Sequence, residues 1–416
     1  MRRGLSLSLA VAFATLVFCS VVSPSRAHAY AWLIRHGYTA CAMCHVDPSG
    51  GSLLTPYGRA QGTLLMAARW GSTDDEAAVK QGEFLFGAFE MPEFLQLGAD
   101  FRGGALATSM SGGPLPSTMT DSRVLLMQAD LEAGLSIDRF RAAGSLGFAT
   151  DGAFGATIVS FGTQVGDENP PRLVSRAHWL GVSLGEDNEW LLRAGRINVP
   201  FGVRTIEHTS WIRKDTRTDI NDSQQDGIAL AYNGEKWRGE ALAILGNYQL
   251  GPDAYRERGG SAYVEFTPTE GLGFGLSSLV VHSNTDLRLQ TPLWRQAHGA
   301  FVRYSPALWF VLLAEADFLV SSQPQYNAFG VSTWVQADFE PTQGLHIIPT
   351  VEFKAPDFGA PSASIGGSLG VAWFFLPHID IRVDAGLQSV ATPGAPSGGG
   401  SSVTAQSILA QLHAYL

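Results

Sequence analysis

The chain is poor in cysteine, in lysine and in long apolar runs. Of its 416 residues three are cysteine, namely Cys19, Cys41 and Cys44. No second cysteine pair exists to complete a closed four-ligand zinc site. Lysine is scarce and the formal net charge is −10. That balance excludes a nucleic-acid partner, which needs a basic surface, and favours cations or basic proteins nearby. Beyond the N-terminus, no apolar run is long enough for a membrane helix. Glycine and aromatic residues, by contrast, are plentiful.

One long apolar run does occur, from Leu5 to Val22, behind Arg2 and Arg3. With Ala27-His28-Ala29 it has the form of a signal peptide occupying residues 1–29, removed to leave Tyr30 first. A transmembrane anchor is the alternative, but the flanks and the small-x-small site favour cleavage. Cys19 is a poor lipidation site because bulky Phe18 precedes it. Loss of Arg2, Arg3 and Arg26 takes the mature chain to a charge of about −13.

The mature chain then spends both of its cysteines on Cys41-Ala42-Met43-Cys44-His45. This is the attachment pattern of a c-type haem. Each thiol forms a thioether with one vinyl group, and the adjacent histidine supplies the proximal iron nitrogen. A redox dithiol or half a metal site are the competing readings. Covalent attachment of this kind takes place outside the cytoplasm, in keeping with the leader.

Residues 30–91 read as a small, mostly helical domain. Gly50-Gly51 and Pro56-Tyr57-Gly58 are turn signals, and helices are expected at Leu64–Trp70 and Asp74–Phe86. Large hydrophobic residues are few, so a haem would supply much of the core. Met66 is the first candidate for the distal iron ligand, with Met91 and His36 competing.

From residue 92 to 416 the pattern changes to period two. Asp130 and Glu132 alternate with Leu131, and Glu315 and Asp317 with Phe318. About sixteen such segments are expected, joined alternately by short turns and long loops. The turns fall at Ile137-Asp138, Gly185–Asn188, Gly234-Glu235, Thr269–Gly271, Ser305-Pro306, Pro341–Gly344 and Pro377-His378. The long connections fall at Thr108–Asp121, Asp151–Pro171, Asn198–Gln225, Ser283–Trp294 and Thr392–Ser402. The expected fold is therefore mainly β: an antiparallel transmembrane β-barrel behind a small α-helical c-type cytochrome domain. A secreted sandwich or solenoid is the alternative. Trp179, Trp190, Tyr232, Trp237, Tyr263, Trp309 and Trp373 lie near segment ends, as girdle aromatics would. An even strand count puts both barrel ends on the periplasmic side. The stretch from Arg193 to Arg217 breaks the pattern with Pro200, Gly202 and a basic cluster. It reads either as a loop folded into the lumen against acidic walls or as an ordinary outside loop. His208 is either a metal ligand or a simple hydrogen-bonding residue.

With a leader, one Cys-x-x-Cys-His and a barrel, the chain resembles the fused monohaem cytochrome–porins, an iron-oxidase-like family of the bacterial outer membrane. Arg35, Gly37, Cys41, Cys44, His45, Pro48, Leu54, Tyr57 and Gly58 carry the local match. Trp32-Leu33-Ile34 and Gly50-Gly51 depart from it. The resemblance implies electron transfer between an extracellular donor, ferrous iron among them, and periplasmic carriers such as c-type cytochromes. One haem c would be held by Cys41, Cys44 and His45, with Met66 on the iron's other face. The alternative is a solute-diffusion porin with a haem-containing plug or docking module. A third is a barrel that pairs with separate multihaem cytochromes.

Overall fold

The computed structural model describes residues 31–416 apart from 52, 90, 114, 116, 149–172, 206, 208–209, 221–222, 247–256, 287–288, 361–362 and 393–400. The leader, Tyr30, His208 and most of the connections at 151–171 and 392–402 lie outside the described residues.

Seventeen strand segments form one antiparallel sheet that closes on itself. β1 (Leu95–Gly112) pairs with β2 (Met119–Ile137) and also with the last strand, β17 (Ser401–Tyr415). β4 (Leu173–Val174) and β5 (His178–Leu184) both pair with β3 (Phe140–Phe148), so they are two pieces of one strand. The seventeen segments thus make a wall of sixteen staves. At the break the Ser145 hydroxyl accepts from the amides of Arg176 and Ala177, both at 3.0 Å, while the Ser145 amide donates to the Ala177 carbonyl at 2.8 Å. Closure satisfies every edge, as a barrel in lipid requires.

Period two decides which side chains face in. On β2, Asp130 and Glu132 are buried whereas Leu131 is 69% exposed. On β12 (Phe310–Gln323), Glu315 and Asp317 are buried and Phe318 is exposed. On β13 (Tyr326–Thr342), Gln336 and Asp338 point in and Val335 out. The lumen is polar and carries charges of both signs, and the outer face is apolar.

Several expectations are corrected. β1 and β2 run on as a long hairpin to Gly112 and from Met119, so the 108–121 connection is mostly strand. Ser305-Pro306 ends β11 (Leu293–Ala307), and the reversal sits at Leu308 and Trp309, where Ala307 pairs with Phe310. Trp190, Trp237, Trp309 and Trp373 are exposed near the short turns as a girdle would be, but Trp179 and Tyr263 are buried. They occupy the inward parity: Leu180 beside Trp179 and Val264 beside Tyr263 take the outward positions. In place of a helix at Leu64–Trp70, the helix is Pro56–Gln61, continued by one π turn at Gly62–Met66. Thr55 caps it, Oγ1 accepting from the Gly58 amide at 3.0 Å, and Pro56 fits the first turn because it has no N–H to satisfy. The second helix is Asp75–Gln81, capped by Asp74. It stops at Gly82, and a short left-handed stretch at Leu85 and Phe86 follows.

Candidate functional site

Two segments enter the lumen from opposite ends. From the short-turn end comes the N-terminal segment. Trp32, Ile34, Tyr38 and Met66 pack against Val311, Leu313, Trp334, Ile348 and Phe374 of the wall. Arg35 pairs with Asp338 and, at 2.5 Å, with Glu340, and Trp32 Nε1 donates to Gln336 at 3.2 Å. From the long-loop end comes the connection between β6 (Trp190–Ile197) and β7 (Gln225–Asn233). Phe201, Val203 and Ile212 are buried. The Trp211 amide donates to Glu352 at 2.6 Å, Arg213 pairs with Glu315, and Arg382 pairs with Glu207 at 2.9 Å. The lumen-folded alternative for this segment therefore holds, its arginine meeting acidic groups across the barrel. His208 falls outside the described residues.

The Cys-x-x-Cys-His turn sits where the two segments meet. Cys41–Met43 forms one 3-10 turn, and the amides of Cys44 and His45 both donate to the Cys41 carbonyl. His45 then bridges to Leu54, and the Thr55 amide donates back to the Cys44 carbonyl at 2.8 Å. Gly58 lies so close that a Cβ there would stand 2.3 Å from the Cys44 oxygen, which is why the helix start admits no side chain. Both cysteines are buried, and Arg238 Nη1 donates to Cys41 Sγ at 3.3 Å. Asp47 anchors the same turn to the wall through Arg193 at 2.7 Å. Burial raises the Asp47 carboxyl, but Arg193 and the Ser49 hydrogen bonds outweigh it and hold the group below its ordinary value.

Cys41, Cys44, His45 and Met66 line one cavity, together with wall residues Arg102, Glu132, Arg176 and His413 and with Asn198, Arg204 and Gln224 of the inner segment. Its empty volume, open mouth included, is about 1310 Å³. His36 and Met91, the other distal-ligand candidates, do not line it. His36 sits in a separate recess at the short-turn end, with Glu270 and Leu308. Burial, more than the opposing Glu340, holds its imidazole below the ordinary value. The nearness of Arg204 to this cavity had no sequence signal beyond the basic cluster it belongs to. Its Nη1 and Nη2 are buried with no hydrogen-bond partner among the described residues. Glu240, which acts on it electrostatically, is engaged by Arg193 at 2.5 Å.

No family model matches the chain, and no curated protein matches it in sequence. Its fold is that of the outer-membrane porins. In-vitro folded OmpT of Vibrio cholerae superposes with a TM-score of 0.53 at 13% identity, over 79% of this chain and all of that one (100%). The outer membrane channel DcaP of Acinetobacter baumannii gives 0.52 at 13% identity, over 78% and 99%. An anion-selective porin from Comamonas acidovorans gives 0.53 at 10% identity, over 77% and 99%. The likeness supports the porin-barrel half of the expected architecture; the cytochrome half rests on Cys41, Cys44 and His45 alone.

Proposed function

We propose that the chain is an outer-membrane electron conduit, holding one covalent haem c within a porin-type barrel and passing electrons between an extracellular donor and periplasmic carriers. The observation that carries it is the convergence of Cys41, Cys44, His45 and Met66 on a single lumen cavity. The donor set fits the group: two thiols and an imidazole meet at the cavity, and Arg204 offers a buried cation to carboxylates such as haem propionates. Cys41 and Cys44 would form the thioethers, and His45 and Met66 would ligate the iron. Bound there, the haem supplies one-electron exchange without bond chemistry. The rest falls to the chain. The N-terminal segment and the inner segment both line the cavity. Ferrous iron is the extracellular donor the resemblance implies; Glu352 and Asp384 of the lumen are already engaged, by the Trp211 amide and by Arg382. The exposed apolar wall faces outer-membrane lipid, with the short turns on the periplasmic side.

A second reading is a solute-diffusion porin whose N-terminal segment is a plug or docking module. The comparisons favour it over electron transfer, because the neighbours named include a channel and an anion-selective porin. The filled lumen weighs the other way. The mature protein, made in a host competent for cytochrome maturation, is expected to keep haem stain through denaturing electrophoresis. Cys41→Ala with Cys44→Ala is expected to abolish it. Colourless wild-type protein with steady, large single-channel conductance would replace the conduit with the porin.

A further inference from the structure

The N-terminal segment does not end inside the barrel. After Met66 the chain turns out over the short-turn rim, the Ala68 amide donating to the Phe374 carbonyl at 2.8 Å. Trp70 then lies beside Trp373, ring centroids 5.8 Å apart, with its Nε1 donating to the Phe375 carbonyl at 2.8 Å. Trp373 is on the outward parity of β15 (Ser364–Leu376), in line with exposed Val371 and Leu369, whereas Phe374 and Ala372 point in. Trp70 therefore rests on the face of the wall that contacts lipid, and it is 70% exposed.

Further along, Phe86 and Phe89 are also exposed, and the Phe86 ring stands edge-on to His378 in the last short turn, at 5.4 Å. Leu85 and Phe86 both have positive φ, 50° and 58°. A left-handed backbone at a large apolar residue is costly and uncommon, and here it leaves Phe86 half exposed over His378 at the rim.

We propose that Trp70, Phe86 and Phe89 form an interfacial foot that sits in the lipid headgroup layer around the short-turn end and fixes the plug to the bilayer. Trp, with one polar edge, partitions to that layer, and exposed Phe rings add apolar surface that the acyl boundary takes up. Trp70 is continuous with the wall's own lipid-facing surface through Trp373, and Phe86 stands on the adjoining short turn through His378, which is what selects lipid over a protein as the occupant. Lipid contact also accounts for three large aromatic side chains exposed together on a segment otherwise rich in charge. The inference stands whether or not the lumen holds a haem.

The test is photo-crosslinking of the full chain in phospholipid nanodiscs. The variants are Trp70→benzoylphenylalanine, Phe86→benzoylphenylalanine and Phe89→benzoylphenylalanine, with Leu412 of the outer wall as positive control and Glu76 of the exposed helix as negative control. Lipid adducts are expected at 70, 86, 89 and 412 and not at 76. Adducts at 412 with none at 70 and 86 would overturn the proposal, as would lipid adducts at 76 equal to those at 86. Should a variant fail to fold, quenching by brominated lipid decides. Wild type is expected to lose more emission than Trp70→Phe, and equal losses overturn the foot.

Discussion

Replacing Arg35 by methionine should unseat the plug without melting the barrel. Arg35 is 6% exposed, and its guanidinium meets Asp338 and Glu340 on the inner wall. Methionine keeps the apolar stem and leaves two carboxylates facing each other in the lumen. Removing one partner of a buried pair costs about 3–5 kcal/mol. The carboxylates retain other partners here, His346 Nδ1 on Asp338 at 3.0 Å and the Gly344 amide on Glu340 at 3.0 Å. That places the cost near the lower end, about 3 kcal/mol, or roughly a hundredfold rise in undocked plug. The sheet hydrogen bonds are untouched, so the thermal midpoint of the barrel should hold. In planar bilayers Arg35→Met should spend about a hundred times longer in a high-conductance state than wild type. Asp338→Asn added to it should restore part of the closure, since it removes one of the stranded charges. If Arg35→Met gates as wild type does and its N-terminal segment resists protease equally, the plug is not held by this pair and the reasoning fails.

Gly58→Val should break the turn that carries Cys44 and His45, because any Cβ would sit 2.3 Å from the Cys44 oxygen; an overpacking cost of about 1–3 kcal/mol should appear as faster proteolysis of residues 41–61. His378, whose Nε2 donates to the Gln81 carbonyl at 3.1 Å, is held down to a pKa of about 4 by burial, against that hydrogen bond, with Arg59 adding to the lowering. The undocked side chain titrates near 6.5 and takes up a proton that the docked one refuses. Docking of the Asp75–Gln81 helix should therefore be at full strength above about pH 6.5, weaken as pH falls, and lose up to about 3 kcal/mol by pH 4. Hydrogen exchange of that helix should show this loss, and His378→Asn should flatten it. Epitope tags within residues 151–171 should be reached on intact cells and tags at Gly234-Glu235 should not; the reverse pattern would invert the barrel.

Much of this molecule is decided by pattern that needs no tertiary contact. Alternation along a strand sends successive side chains to opposite faces, so Asp130 against Leu131 and Glu315 against Phe318 already assign lumen and lipid. The spacing of Cys41, Cys44 and His45 is local, and one 3-10 turn realises it. Tight turns such as Gly185–Asn188 follow from residues that tolerate positive φ, as Gly185 and Asn188 do. What the tertiary structure alone decided are the relations between segments far apart in the chain. Segment ends do not reveal parity, so Trp179 and Tyr263 passed for girdle residues while facing inward. Nothing local separates a loop over the barrel from one inside it; the acidic partners of the inner segment, Glu315 and Glu352, lie more than a hundred residues away along the chain. Met66 joins His45 at one cavity, and His36 does not, because the π turn ends at Met66 just before the chain crosses the rim. Such placements are fixed by closure of the sheet between β1 and β17, a constraint that exists only once all sixteen staves are paired.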